Sequence, residues 1–188
     1  MKITKRFIGR WTILSGLILL VFGWTLFGCT LPEKEFDPSI KGPQMIAHPE
    51  IISLGVAALT KTPVVFKGKG FQPEDSVFIT LLGVKKGNKT VDLAIADANI
   101  DKKGYFVAKV STLVKVSELL RARIGSNKKM ENIIIVTQPP MPAGTYTVRA
   151  VSMESDKKAE CKFVINKPSL MDRFKDWLGV KLGKIVKK

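Results

Sequence analysis

The side chains able to do chemistry are few, and their spacing argues against most enzymes. One histidine, His48, stands beside Pro49 in a stretch of prolines and charges, and Cys29 and Cys161 are the only thiols. A nucleophile–base pair or a zinc site built on imidazole needs that imidazole in ordered surroundings, which this setting does not suggest. In "DANIDKKG" the alternating Asp97, Asn99 and Asp101 could face a cation. An EF-hand loop, however, needs Gly at its sixth position and a bidentate Glu at its twelfth, where this chain has Lys102 and Ala108. The stretch reads instead as a turn whose Asp and Asn bond local backbone. No phosphate-cradling glycine loop runs into Lys-Ser or Lys-Thr. The expectation is a chain with no catalytic residue, no metal and no cofactor.

Cys29 asks a different question, because it stands where an apolar run gives way to polar chain. Lys2, Lys5, Arg6 and Arg10 open the sequence without an acid, and residues 11–32 carry no charge. A basic start, an apolar run and a small residue before the cut mark an export signal. Leu26, Gly28 and Cys29 resemble the lipobox of bacterial lipoproteins, with Phe27 where a small or β-branched residue is usual. The resemblance implies a lipid on Cys29, which becomes the mature N-terminus, and Thr30 after it implies the outer membrane in a Gram-negative cell. The alternative is an uncleaved signal anchor, since the run approaches the roughly 20 residues that cross a bilayer. Both put the body of the chain in the cell envelope, facing the periplasm or exterior.

Net charge is +15, falling to +11 once residues 1–28 are removed. In an exported chain that excess is either a solvated surface with no partner or a surface for membrane lipid, an anionic envelope polymer or an envelope protein rather than nucleic acid. With Cys29 lipidated, Cys161 has no disulfide partner. It alternates in phase with Ala159, Phe163 and Ile165 and reads as a small buried hydrophobe.

These side chains must be positioned by β-structure. Between residues 50 and 166 eight short apolar or alternating runs recur, bounded by Gly, Pro, Asn or Asp: "IISLGVAAL", "PVVFKGKGF", "SVFITLLGV", "VDLAIADA", "GYFVAKV", "NIIIVT", "GTYTVRAVS" and "AECKFVI". Strands spaced this way favour a sandwich. Between them "STLVKVSELLRARIGSN" places Leu113, Val116, Leu119, Leu120 and Ile124 at helical spacing, with Gly125 as a stop, and predicts a short helical insertion. The order of Gly68, Gly70, Phe71, Pro73 and Glu74, then Asp101, Gly104 and Phe106, then Ala143, Gly144 and Tyr146 resembles the bacterial immunoglobulin-like modules of exported proteins. That resemblance implies an all-β, immunoglobulin-like β-sandwich. Tyr146, after a Pro-Ala-Gly turn, is placed to bury its ring while its hydroxyl bonds nearby backbone, as in a tyrosine corner.

The end, "NKPSLMDRFKDWLGVKLGKIVKK", predicts a helix capped by Ser169 and Asp172. Leu170, Met171, Phe174, Trp177, Leu178, Leu182, Ile185 and Val186 fall on one half of it, and Arg173, Asp176, Lys184 and Lys187 on the other. Such an amphipathic helix either docks its apolar half on the sandwich or lies flat on a membrane. For the second role the contact candidates are Phe174, Trp177, Lys181, Lys184, Lys187 and Lys188. The expected organisation is a signal peptide or anchor over residues 1–28, a flexible tether over 29–49, the sandwich over 50–166 and the basic amphipathic helix over 167–188. The expected function is a membrane-tethered, non-catalytic binding or structural module. The competing class is an enzymatic or accessory domain acting on cell-wall glycans through carboxylates.

Overall fold

A computed structural model describes residues 34–187. The expected signal peptide or anchor, with Cys29, and Lys188 lie outside the described residues. What is described is mostly β, as the run pattern predicts, with three short helices. Eleven strands form three sheets. In the first, β1 (Gln44–His48), β3 (Val65–Lys69) and β6 (Phe106–Lys109) are antiparallel neighbours in that order. The second has the order β2 (Ile51–Ser53), β10 (Lys158–Asn166), β9 (Gly144–Ser152), β4 (Ser76–Lys86) and β5 (Lys89–Asn99), with β2 alone parallel to its neighbour. The third joins β7 (Ala122–Ser126), β8 (Asn132–Val136) and β11 (Ile185–Lys187), with β11 parallel to β8.

Alternation decides which side chains go inside. Along β9, Val148, Ala150 and Ser152 are buried with Tyr146 half-buried on the same face, and along β10 Ala159, Phe163 and Ile165 are buried with Cys161 between them. The first two sheets share a core in which Phe66 of β3 meets Phe163 of β10 edge to face at 5.6 Å between ring centres. Phe71 meets Phe106 in the same manner at 5.2 Å. Such rings supply much of the apolar area that drives folding. The turn after β5 is pinned as its sequence suggests: Asp101 Oδ1 accepts the backbone N–H groups of Lys103 and Tyr105, each at 2.8 Å. Gly104 sits there at φ 78°, and a Cβ on it would lie 2.6 Å from the carbonyl oxygen of Phe71. Both the left-handed backbone and the close approach require glycine.

Several expectations need correction. The tether assigned to residues 29–49 is not free along its length: Gln44–His48 is strand β1, with Met45, Ile46 and Ala47 buried. Further back, Lys34 pairs with Glu50 at 3.1 Å and Phe36 packs under Lys69. The prolines and charges on both sides hid an apolar triplet that has a sheet edge to pair with. His48 is therefore ordered, although exposed at the strand end. The sheets also exceed the assigned bounds of 50–166, since β1 and β11 lie outside them.

"IISLGVAAL" divides into β2 and helix α1 (Val56–Lys61). The insertion helix is shorter than predicted. Helix α2 (Thr112–Val114) runs into one π-helical turn over Lys115–Leu119, and Arg121 at φ 49° breaks it. Ile124 then belongs to β7, opposite Ile134 of β8, because a β-branched partner strand offers this segment a full ladder of backbone bonds. Lys115 in the π turn is buried, with Nζ donating to the carbonyls of Thr60 at 3.3 Å and Thr62 at 2.8 Å, at the C-terminal end of α1. Burial pushes its pKa down, and the helix-end carbonyls favour the charged form.

The C-terminal helix and the groove beside it

Helix α3 (Leu170–Lys181) starts as its sequence predicts. Ser169 Oγ accepts the backbone N–H of Asp172 at 3.1 Å, and Asp172 Oδ2 accepts the backbone N–H of Ser169 at 3.0 Å, a complete capping box. The same carboxylate is also a fastening to the sheet, accepting the hydroxyl of Ser53 at 2.6 Å. One turn on, Asp176 accepts the backbone N–H groups of Val56 at 3.0 Å and Ala57 at 2.8 Å, satisfying donors at the start of α1 that no side chain of α1 itself caps. The contact is close, for a Cβ on Gly55 would lie 2.6 Å from the Cβ of Asp172. Hydrogen bonds from Ser53 and then Ser169 hold the Asp172 carboxyl below its ordinary pKa, against an opposing push from burial.

The far end of α3 is held as well. Gly183 at φ 69° ends the helix, its N–H bonded to the carbonyl of Val180, and the Lys184 carbonyl receives the N–H of Ile134 as the chain enters β11. This corrects the expected helix over 167–188. Ile185 is buried in β11 and not on a helical face, Lys184 lies in the turn, and Lys187 is an exposed strand residue.

Clamped through Asp172 and Asp176, and with Gly179 close against Ile185 of β11, the helix turns its carboxylate side to the body and its apolar half to solvent. Phe174 is 57% exposed and Trp177 53%, with Leu170, Met171, Leu178 and Leu182 also exposed. The Phe174 and Trp177 rings stack at 5.8 Å, and Lys181 Nζ stands 6.0 Å over the indole. An amphipathic helix ordinarily buries its apolar stripe; this one does the reverse. Reading the helix as a core element through its apolar face is therefore overturned. Of the contact candidates, Phe174, Trp177 and Lys181 lie together on the helix, Lys184 and Lys187 are exposed beyond its end, and Lys188 lies outside the described residues.

Beside α3 runs an open groove of about 560 Å³ between the helix and residues 136–140. Its walls are mostly apolar, from Leu54, Val56, Val136, Pro139, Pro140, Pro168, Trp177 and Val180, with Arg173, Lys187 and the engaged Asp176 as charged lining residues. No pattern along the sequence marks it, because its walls come from four separated segments. A smaller hollow of about 220 Å³ lies at Glu118 and Arg121. Neither brings two carboxylates together, the arrangement that glycoside hydrolysis uses.

The other singled-out side chains are structural in geometry. Tyr146 donates its hydroxyl to the Pro142 carbonyl at 2.7 Å. Burial pushes the Cys161 thiol up to about 12, so its nucleophilic form is scarce. Asp75, missed in the sequence, is buried and accepts the N–H groups of Ser76, Glu154 and Ser155, tying β4 to the turn after β9. Burial raises its pKa, but those bonds outweigh burial and leave it lowered. Among the described residues no helix is long and apolar enough to cross a membrane.

No family model and no curated protein matches the chain. Among solved structures it is similar to a β-glucosidase from Listeria innocua in complex with glucose, at 10% identity and a TM-score of 0.33, covering 74% of this chain and 20% of that one. It is also similar to the alkylpurine DNA glycosylase AlkC of Pseudomonas fluorescens bound to DNA, at 8% identity and a TM-score of 0.31, covering 66% of this chain and 30% of that one. The chain thus spans less than a third of either structure, and likenesses this weak carry no argument about fold or activity.

Proposed function

We propose that the chain is a non-catalytic, immunoglobulin-like module of the cell envelope, tethered at Cys29 and lying against a lipid surface through α3. The observation that carries this reading is the inverted docking of the helix, whose carboxylates bind the protein while Phe174, Trp177 and Leu178 face outward. Lysines 175, 181 and 184 border that apolar surface, the composition of a helix that rests among anionic head groups.

The strand order supports the immunoglobulin-like frame. We read β1, β3 and β6 as the counterparts of strands A, B and E of such folds, and β4, β9 and β10 as those of C, F and G. The first strand is divided between the sheets as β1 and β2, and Tyr146 bonds back four residues at the start of β9, as a tyrosine corner does. An anionic envelope polymer or envelope protein is the further partner the basic charge favours.

The test uses the chain from Lys34 onward, in which Trp177 is the sole tryptophan. Phosphatidylglycerol vesicles should shift its emission to the blue and carry the protein into the pellet. Unshifted emission and an empty pellet at low salt would sink the membrane role.

A further inference from the structure

We propose that the groove beside α3 binds one acyl chain of an anionic amphiphile, with its carboxylate or phosphate head held by Arg173 and Lys187. The inference rests on the membrane-surface reading for the source of the ligand, though not for the groove itself.

A volume of about 560 Å³ lies inside the range of roughly 300 to 1,000 Å³ typical of small-molecule sites. Its walls meet the other usual requirement, a mainly apolar lining with few polar groups: Leu54, Val56, Val136, Pro139, Pro140, Pro168, Trp177 and Val180 are apolar side chains apart from one indole N–H, and Thr137 and Gln138 are the uncharged polar ones. The charged lining residues set the sign of the head group. Among the described residues neither Arg173 nor Lys187 is paired with a carboxylate. The one acid there, Asp176, is already bonded to two backbone N–H groups. A net positive rim over an apolar cleft selects a chain that ends in an anion, and it rejects a cationic amphiphile of equal length.

Trp177 is shared. It lines the groove and also stacks on Phe174 in the outward surface. The cleft is therefore continuous with the apolar half of α3, and a lipid chain leaving a bilayer under the helix would enter it without crossing water. The helix cannot close the groove by sliding, because Asp172 and β11 fix it at both ends.

The experiment places the full chain in bilayer discs of phosphatidylcholine with a dodecanoate that carries a diazirine near its tail, and maps adducts by mass spectrometry after irradiation. Adducts are expected within residues 136–140 and at Val180. Excess dodecanoate should remove them, and dodecyltrimethylammonium at the same concentration should not. The surface pair Arg173→Gln and Lys187→Gln should lower the yield at least fivefold. Val180→Trp, which fills the cleft, should lower it at least tenfold.

Dodecanoate also reaches the groove from water, so these adducts survive if α3 does not lie on lipid. Conversely, Phe174→Ala with Leu178→Ala should remove vesicle binding and leave the groove adducts. Adducts spread along Phe174 and Leu178 and indifferent to the glutamine pair, or equal competition by the cationic amphiphile, would overturn the proposal.

Discussion

Two carboxylates decide how α3 is oriented, and their chemistry gives the clearest prediction at the scale of residues. Asp172 has its folded-state pKa lowered, first by the Ser53 hydroxyl and then by Ser169. A group depressed in this way adds stability that is present above its unfolded value of about 3.9 and is lost as pH falls through the folded value. Acid should therefore loosen α3 below about pH 4. Near-ultraviolet circular dichroism of Trp177 in the chain from Lys34 onward should record it, and Asp172→Asn should remove most of that acid transition. Tyr146→Phe makes a milder test. Loss of one hydroxyl bond to Pro142 should cost about 0.5 to 1.5 kcal/mol in urea unfolding, because the half-buried ring remains. The sequence announced the capping pair and the tyrosine. It did not announce that Asp172 would also bind Ser53, for that contact joins residues 119 positions apart.

At the scale of elements, legibility followed apolar patterning and failed where a segment is defined by its pairing partner. All eight apolar runs contain strands, although those in "IISLGVAAL" and "GYFVAKV" have only three and four residues. The three strands that were missed, β1, β7 and β11, have five residues or fewer and are defined by what they pair with. The predicted helix over "STLVKVSELLRARIGSN" overran because Ile124 kept helical phase, and only the left-handed Arg121 breaks the run. The glycines allow a test of local cause. Gly83 has φ 70° with open space around its Cβ position, whereas Gly104 has φ 78° and faces the Phe71 carbonyl. Alanine at Gly83 should cost about 1 to 2 kcal/mol, the penalty of the left-handed backbone alone. Alanine at Gly104 should cost at least 1 kcal/mol more in the same urea titration, because backbone cannot swing aside. Equal losses would mean that the turn after β5 yields more easily than its hydrogen bonds suggest.

At the scale of the whole molecule, exposed apolar side chains also occur on the body, at Ile51, Phe78, Val107 and Met130, but they are densest along α3. Every ring of the shared core finds a partner inside, while the apolar half of α3 faces solvent beside a basic border. The two contributions to the proposed lipid binding are separable. Lysines near an anionic surface add about 1 kcal/mol each, so Lys181→Gln with Lys184→Gln should weaken binding to phosphatidylglycerol vesicles by about 30-fold and change binding to phosphatidylcholine little. Salt should mimic that loss, since surface charges are screened over about 8 Å near physiological ionic strength. Phe174→Ala with Trp177→Ala should instead abolish binding to both kinds of vesicle while leaving the unfolding midpoint nearly unchanged, because neither ring packs in the core. A large drop in that midpoint would mean that the rings support the fold after all, and the outward half of the helix would then have to be explained by the protein itself and not by a membrane.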